Sequence, residues 1–263
     1  MTLLFYTRPV VLNKERHRDL RLLHGEARYG FARQTNSVPL VGSEFAASAG
    51  HYPIVFAGVE AGALMPVALL GMRDRENLFV DEAGRWQADY VPAFVRRYPF
   101  VLAEQEADFE GDERFNVCFD EVFDGLGEGE EGVRLFEDDG EPAEFLRGAM
   151  DFLRDYQAQA EATRAFMEQL KELDLLVERH LEVQRPGGER LNLNGFHVVD
   201  DACLQALDDA QVLSLFRSGA LAWIEAHRLS LARVSDLSAR LERLAAHTLE
   251  EDPSTVSEAE PID

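Results

Sequence analysis

VPLVGSEFAASAGHYPIVFAG at residues 38–58, NLFVDEAGRW at 77–86 and DYVPAFVRRYPF at 89–100 decide the reading of the N-terminal half. The run 53–57 (PIVFA) is β-branched and aromatic, too short for a stable helix and stopped by Gly58, which predicts a buried strand. The run 66–71 (PVALLG) predicts a second. Leu78, Phe79 and Val80, the turn-forming Asp81 to Gly84, and then Arg85 and Trp86 predict a strand, a turn and a return strand, with Gly84 free to take positive φ. Working outward, Phe5 and Val10 to Leu12 predict an opening extended segment, Leu20, Leu22 and Leu23 follow a charged run, and Tyr29 with Phe31 predicts another short strand. Downstream, 117–119 and 133–136 predict strands framed by Gly/Glu-rich loops at 124–132 and 137–141.

The period then changes. From Phe145 to Val177 the apolar positions, among them Leu146, Met150, Leu153, Tyr156, Phe166, Leu170 and Leu173, fall at helical spacing, which predicts one long amphipathic helix or two consecutive ones. Pro142 suits its first turn. RPGGE at 185–189 predicts a hairpin turn between 181–183 and 191–193. Further helices follow, with Asp200 or Asp201, Asp208 or Asp209, and Ser230 as candidate N-caps. The expected fold class is therefore α+β. A strand-rich part at 1–140 packs against a mainly helical part with a short hairpin at 141–249, the two sharing a core, and a disordered acidic tail follows at 250–263.

Hydrophobic content of 46% excludes wholesale disorder. The net charge of −23 is unevenly placed: residues 1–100 carry 12 Lys/Arg against 10 Asp/Glu, whereas 101–145 carry 2 against 17. Such a field repels phosphate backbones and anionic membrane surfaces and favours a basic peptide or protein partner. The two cysteines, Cys118 and Cys203, show no spacing that asks for a disulfide. The start, MTLLFYTRPVVLNKERH, lacks a secretory leader, and no apolar run is long enough for a bilayer, so the expectation is a cytoplasmic protein without membrane insertion.

No phosphate-binding glycine loop, HExxH, paired CxxC or GxSxG occurs, so no catalytic set, metal site or cofactor is expected. Only His17 and His24 among the seven histidines lie close in sequence. The best functional candidate is the pair Arg96 and Arg97, because a guanidinium grips a carboxylate with a two-pronged fork. Their neighbours Tyr90, Pro92, Phe94, Tyr98, Pro99 and Phe100 would dehydrate such a contact. On a strand the two arginines would face opposite ways, so at most one would reach a pocket. The candidate ligand site is Arg96, Arg97 and Tyr98 with Glu44, Trp86 and His17. The plainer reading pairs one arginine with Glu44 or Asp89, makes Glu44 a helix-start carboxylate, and leaves Trp86 in the core and His17 on the surface.

The segments HRDLRL (17–22), VPLVGSEF (38–45), YPIVF (52–56), ALLGMRDRENLFVDEAGRW (68–86), YVPAFVRRYPF (90–100) and VCFD (117–120) resemble the bacterial SapC family. The resemblance continues through EGVRLFEDDGEP (131–142), TRAFMEQLKELDLL (163–176), LNGFHVVDDACLQAL (193–207) and SGALAWIEAHRLSL (218–231). It implies a link to a paracrystalline bacterial surface layer and serum resistance. It also implies genomic neighbours such as TonB-dependent receptors and flavin-dependent halogenase-like or cupin-like oxygenases. It supplies no catalytic residues. The expected function is a non-enzymatic binding or accessory protein that helps assemble or modify a cell-envelope or surface-layer component, with a peptide or protein partner. The alternatives are a peptide- or protein-modifying enzyme working with an oxygenase- or halogenase-like system, and a lattice subunit.

Overall fold

The strand-forming runs of both halves meet in one antiparallel sheet. The computed structural model describes residues 4–23, 28–58, 63–104, 115–184 and 190–251. Its first elements are β1 (Pro9–Val11), β2 (Leu20–Leu22), β3 (Ser37–Pro39), α1 (Phe45–Ser48), β4 (Ile54–Gly58) and β5 (Leu64–Leu69). Next come α2 (Ala93–Arg96), β6 (Phe100–Glu104), β7 (Phe115–Asp120), β8 (Leu126–Glu128), β9 (Val133–Arg134) and α3 (Glu144–Glu172). The chain continues through β10 (Leu176–Gln184), β11 (Arg190–Val199), α4 (Asp201–Gln205), α5 (Asp209–Ser218), α6 (Ala220–Ser230) and α7 (Arg233–Glu251). This is an α+β fold, as the change of period predicts.

The main sheet has the order β10-β11-β4-β5-β3, flanked by two three-stranded sheets, β1-β7-β6 and β8-β2-β9. Strands from both sides of residue 140 therefore share one hydrogen-bonded sheet, with Phe196 and His197 opposite Ala57 and Phe56. Ile54, Val55 and Phe56 are all buried, which explains why that run is continuously apolar rather than alternating.

Helix α3 is 29 residues long, about 43 Å at 1.5 Å per residue. Its buried stripe serves two cores. Leu146 and Leu153 join Phe100, Leu102, Phe119, Leu135 and Phe136 in the smaller one. Tyr156, Phe166, Met167 and Leu170 join the larger one, which also takes Ile54 and Phe56 from the sheet and Ile224 and Leu241 from the C-terminal helices. The long period is thus a single helix that ties the two cores together.

Local chemistry departs from the sequence reading in several places. Tyr29 and Phe31 flank or lie in a 3-10 turn, Gly30–Ala32, rather than a strand, because the Ala32 and Arg33 N–H groups bond back to Tyr29 and Gly30 within the segment itself. The strand–turn–strand at 78–86 reduces to a single bridge, Val80 to Trp86, around Gly84 at φ 78°. Here the Asp81 carboxylate accepts from the Arg85 N–H and Nε and from Gln87 Nε2 in place of a ladder. Strand β8 lies inside the expected 124–132 loop, recruited by pairing with β2. Pro142 precedes the helix, whose N-cap is Ala143. Asp200 and Asp208 cap α4 and α5 as expected. Ser230 does not cap α7; it closes α6, its hydroxyl donating to the His227 carbonyl and accepting from Ile54 N–H. Cys118 is buried, Cys203 exposed, and both are free thiols. The 185–189 turn and residues 252–263 of the acidic tail lie outside the described residues.

Candidate functional site

A cleft of about 800 Å³ opens along the first half of α3. Glu144, Gly148 and Phe152 follow one another at four-residue intervals on this wall, with Phe145, Ala149 and Leu153 beside them. The second wall is the α2–β6 turn, 95–100, and the third combines residues 22–23, 28–31 and 123–125. Its lining is mainly aromatic and aliphatic, with Arg28, Arg96, Arg97, Asp124 and Glu144 as the charged members.

The second wall is held by Glu44, which lies outside the cleft. That carboxylate is buried and accepts from the N–H groups of Val41 (3.2 Å) and Ala93 (2.6 Å) and from the Tyr90 hydroxyl (2.7 Å). It thus satisfies a first-turn donor of α2, whose N-cap Pro92 offers no side chain for the purpose. It is a positioning carboxylate for 90–97, and no ion pair joins it to Arg96.

The doubled arginine lies on a short helix and the turn after it, not on a strand, yet its two side chains still diverge. Arg97 is 3% exposed, with its guanidinium carbon 4.1 Å from the centre of the Phe94 ring, 5.0 Å from Tyr156 and 5.8 Å from Tyr6. It is a core cation packed on ring faces. Burial pushes the Tyr156 phenol up to about 12, with the Arg97 charge pulling the other way. Arg96 is exposed: its Nε donates to the Val91 carbonyl at 2.9 Å, and its guanidinium carbon lies 5.0 Å from the Phe152 ring centre and 5.8 Å from Tyr90. It forms no ion pair with any described carboxylate, and the fork is left on the cleft rim. Arg28 repeats the arrangement over Tyr29, at 5.2 Å, also with no described carboxylate in ion-pair range.

Tyr98 lines the cleft and packs on Phe31 with ring centres 4.1 Å apart and the planes tilted by 30°. Its hydroxyl donates at 3.0 Å to the fully buried Asp120, which also accepts from the Thr7 and Arg8 N–H groups. Burial and then the Asp120 carboxylate push the Tyr98 phenol upward. Trp86 stands behind this wall, packing on Tyr29 and Phe79 and donating to the Tyr52 hydroxyl at 2.8 Å. His17 is elsewhere, accepting from Asn13 N–H and lying edge-on to Phe119. Burial, and then the Arg16 charge, lower its pKa.

The structure therefore brings Arg96, Arg97 and Tyr98 to one cleft, and leaves Glu44 and Trp86 behind it and His17 apart. Sequence reasoning missed Arg28, Glu144, Gly148 and Phe152. The available signal was the glycine inside an otherwise strong helix, midway between Phe145 and Phe152, both off the deepest stripe. Among the described residues, no three His, Cys, Asp or Glu side chains are grouped to hold a metal ion. Among those residues, too, no helix is long and apolar enough to cross a membrane.

The site is thus an arginine-rimmed, mainly aromatic and aliphatic cleft on an α+β scaffold. The SapC family model matches residues 12–237, and the chain belongs to that family. Neither the curated proteins nor the solved structures compared with the chain gave a match.

Proposed function

We propose that this SapC-family member is a non-enzymatic binding or accessory protein, which receives a segment of a peptide or protein partner in the α3 cleft. The family resemblance links that role to assembling or modifying a bacterial cell-envelope or surface-layer component. One observation carries the reading: the Arg96 guanidinium, stacked on Phe152 and Tyr90 and free of any described ion pair, stands at the rim of an aromatic cleft in a protein of net charge −23. In so acidic a chain, an arginine held on ring faces with no carboxylate partner is suited to a carboxylate from outside, in a setting where partial dehydration strengthens the contact. Arg97 supports the wall from the core, and Tyr98, tied to Asp120, forms part of the floor.

The test is a random-peptide array probed with the wild type, Arg96→Lys and Gly148→Leu. The wild type should select peptides that combine apolar or aromatic residues with an acidic one. Arg96→Lys, which keeps the charge and loses the fork, should weaken the acidic preference, and Gly148→Leu should obstruct the cleft and remove binding. Selection by Gly148→Leu identical to that of the wild type, or no selection by the wild type, would refute the reading.

A further inference from the structure

The α3 wall of the cleft is bounded by opposite charges, Glu144 on the helix at one end and Arg96, reaching over Phe152 from α2, at the other. Glu144 and Phe152 are eight residues apart on one helix face, about 12 Å along the axis at 1.5 Å per residue. At the Phe152 end stands the guanidinium of Arg96; at the other stands the exposed carboxylate of Glu144, which has no described ion-pair partner. Between them the wall has no charged group. Gly148 leaves a gap there, since a Cβ built on it meets nothing within 4 Å, and half-buried Phe145 and Ala149 and buried Leu153 lie alongside. A glycine inside a helix costs about 1 kcal/mol relative to alanine. Nothing within the described fold needs the space that it clears.

We infer that the cleft binds an extended peptide segment with a basic side chain at one end and an acidic one at the other, separated by about three apolar residues at about 3.3 Å each. The basic side chain pairs with Glu144, the acidic one with Arg96, and a central apolar side chain lies over Gly148. This rests on the cleft being a peptide site and adds to it a length, a charge order and a direction. A basic element in the partner also suits the acidic surface of the molecule as a whole.

Isothermal titration with the capped pentapeptide acetyl-Lys-Leu-Phe-Leu-Asp-amide tests it against two controls, the neutral acetyl-Gln-Leu-Phe-Leu-Asn-amide and the short acetyl-Lys-Phe-Asp-amide. The charged pentapeptide should bind about tenfold more tightly than either. Glu144→Arg and Arg96→Glu should each remove that advantage. The double variant should restore it, because the inverted cleft accepts the peptide in the opposite direction. Equal binding of charged and neutral pentapeptides, blocked by Gly148→Leu, would overturn the charge order and leave the cleft as a peptide site. Failure of all three peptides to bind the wild type, or binding unaffected by Gly148→Leu, would overturn both.

Discussion

His227 should make the stability of this protein fall steeply in mild acid. It is fully buried where α6 crosses β4 and β11, its Nε2 accepting from Val199 N–H at 3.1 Å and its Nδ1 lying 2.8 Å from the Ile54 carbonyl oxygen. The carbonyl requires the proton on Nδ1, and the Val199 N–H requires a lone pair on Nε2, so the site is built for the neutral ring. A second proton would set two N–H groups against each other. Burial pulls the pKa down to about 4 from an ordinary 6.5, with smaller effects from the Ile54 carbonyl, Arg228 and Asp201. A depressed histidine pKa means that the unfolded chain takes up the proton first. Its contribution is therefore intact above pH 6.5 and is lost as pH falls from 6.5 to 4. The gap corresponds to about 3 kcal/mol in all, of which about 2 kcal/mol is gone by pH 5. Urea unfolding at pH 7.5, 6.0 and 5.0 should show this loss in the wild type. In His227→Gln, which can still donate to Ile54 and accept from Val199 but does not titrate, the slope over that range should be shallower by the same amount. The imidazole proton signals of His227 should also stay unshifted down to pH 5. Parallel pH profiles for the two proteins, or a ring titrating near 6.5, would refute the reasoning.

Three further expectations concern single contacts. Gly42→Ala should lower the melting temperature, at a cost of about 1–3 kcal/mol, because the added Cβ would overlap the Trp223 ring; adding Trp223→Leu should recover part of the loss. Asp208→Ala should cost about 1 kcal/mol in urea unfolding through loss of the α5 capping box with Gln211, and Asp208→Asn only a small fraction of that. Glu128→Gln with Glu130→Gln should shift stability by no more than about 0.5 kcal/mol, since both side chains are exposed and without a described ion pair.

What could be read from the sequence was local. The run at 53–57 announced β4 because burial demands apolar side chains without alternation, and the spacing from 145 announced α3 because one stripe must face a core. Asp200 and Asp208 were legible as caps because a short acceptor before a helix has one common use. Which strands pair was not legible: nothing in IVFAG specifies Phe196 and His197 as the partners of Ala57 and Phe56. The same limit applies to the cleft. The doubled arginine stood out by its aromatic company, and its two side chains do part, though through a helical turn rather than strand alternation. Glu144, Gly148 and Phe152 joined it only through tertiary packing of α3, and Glu44 moved from candidate ligand contact to clamp because Tyr90 and Ala93 claim one of its oxygens and Val41 the other.

The place of β4 in the main sheet also bears on how the chain is made. On a ribosome β3, β4 and β5 emerge before β11, and the backbone edge of β4 stands open until β11 arrives. The Ile54 carbonyl and N–H wait longer still, for His227 and Ser230, 173 and 176 positions away. While the residues between β4 and β11 are made, the nascent chain thus carries a hydrophobic strand with an unsatisfied edge, the kind of surface that invites pairing with other chains. Its protection comes only once β11 and then α6 have been made, so the interval between β4 and those elements is when wrong pairing can occur.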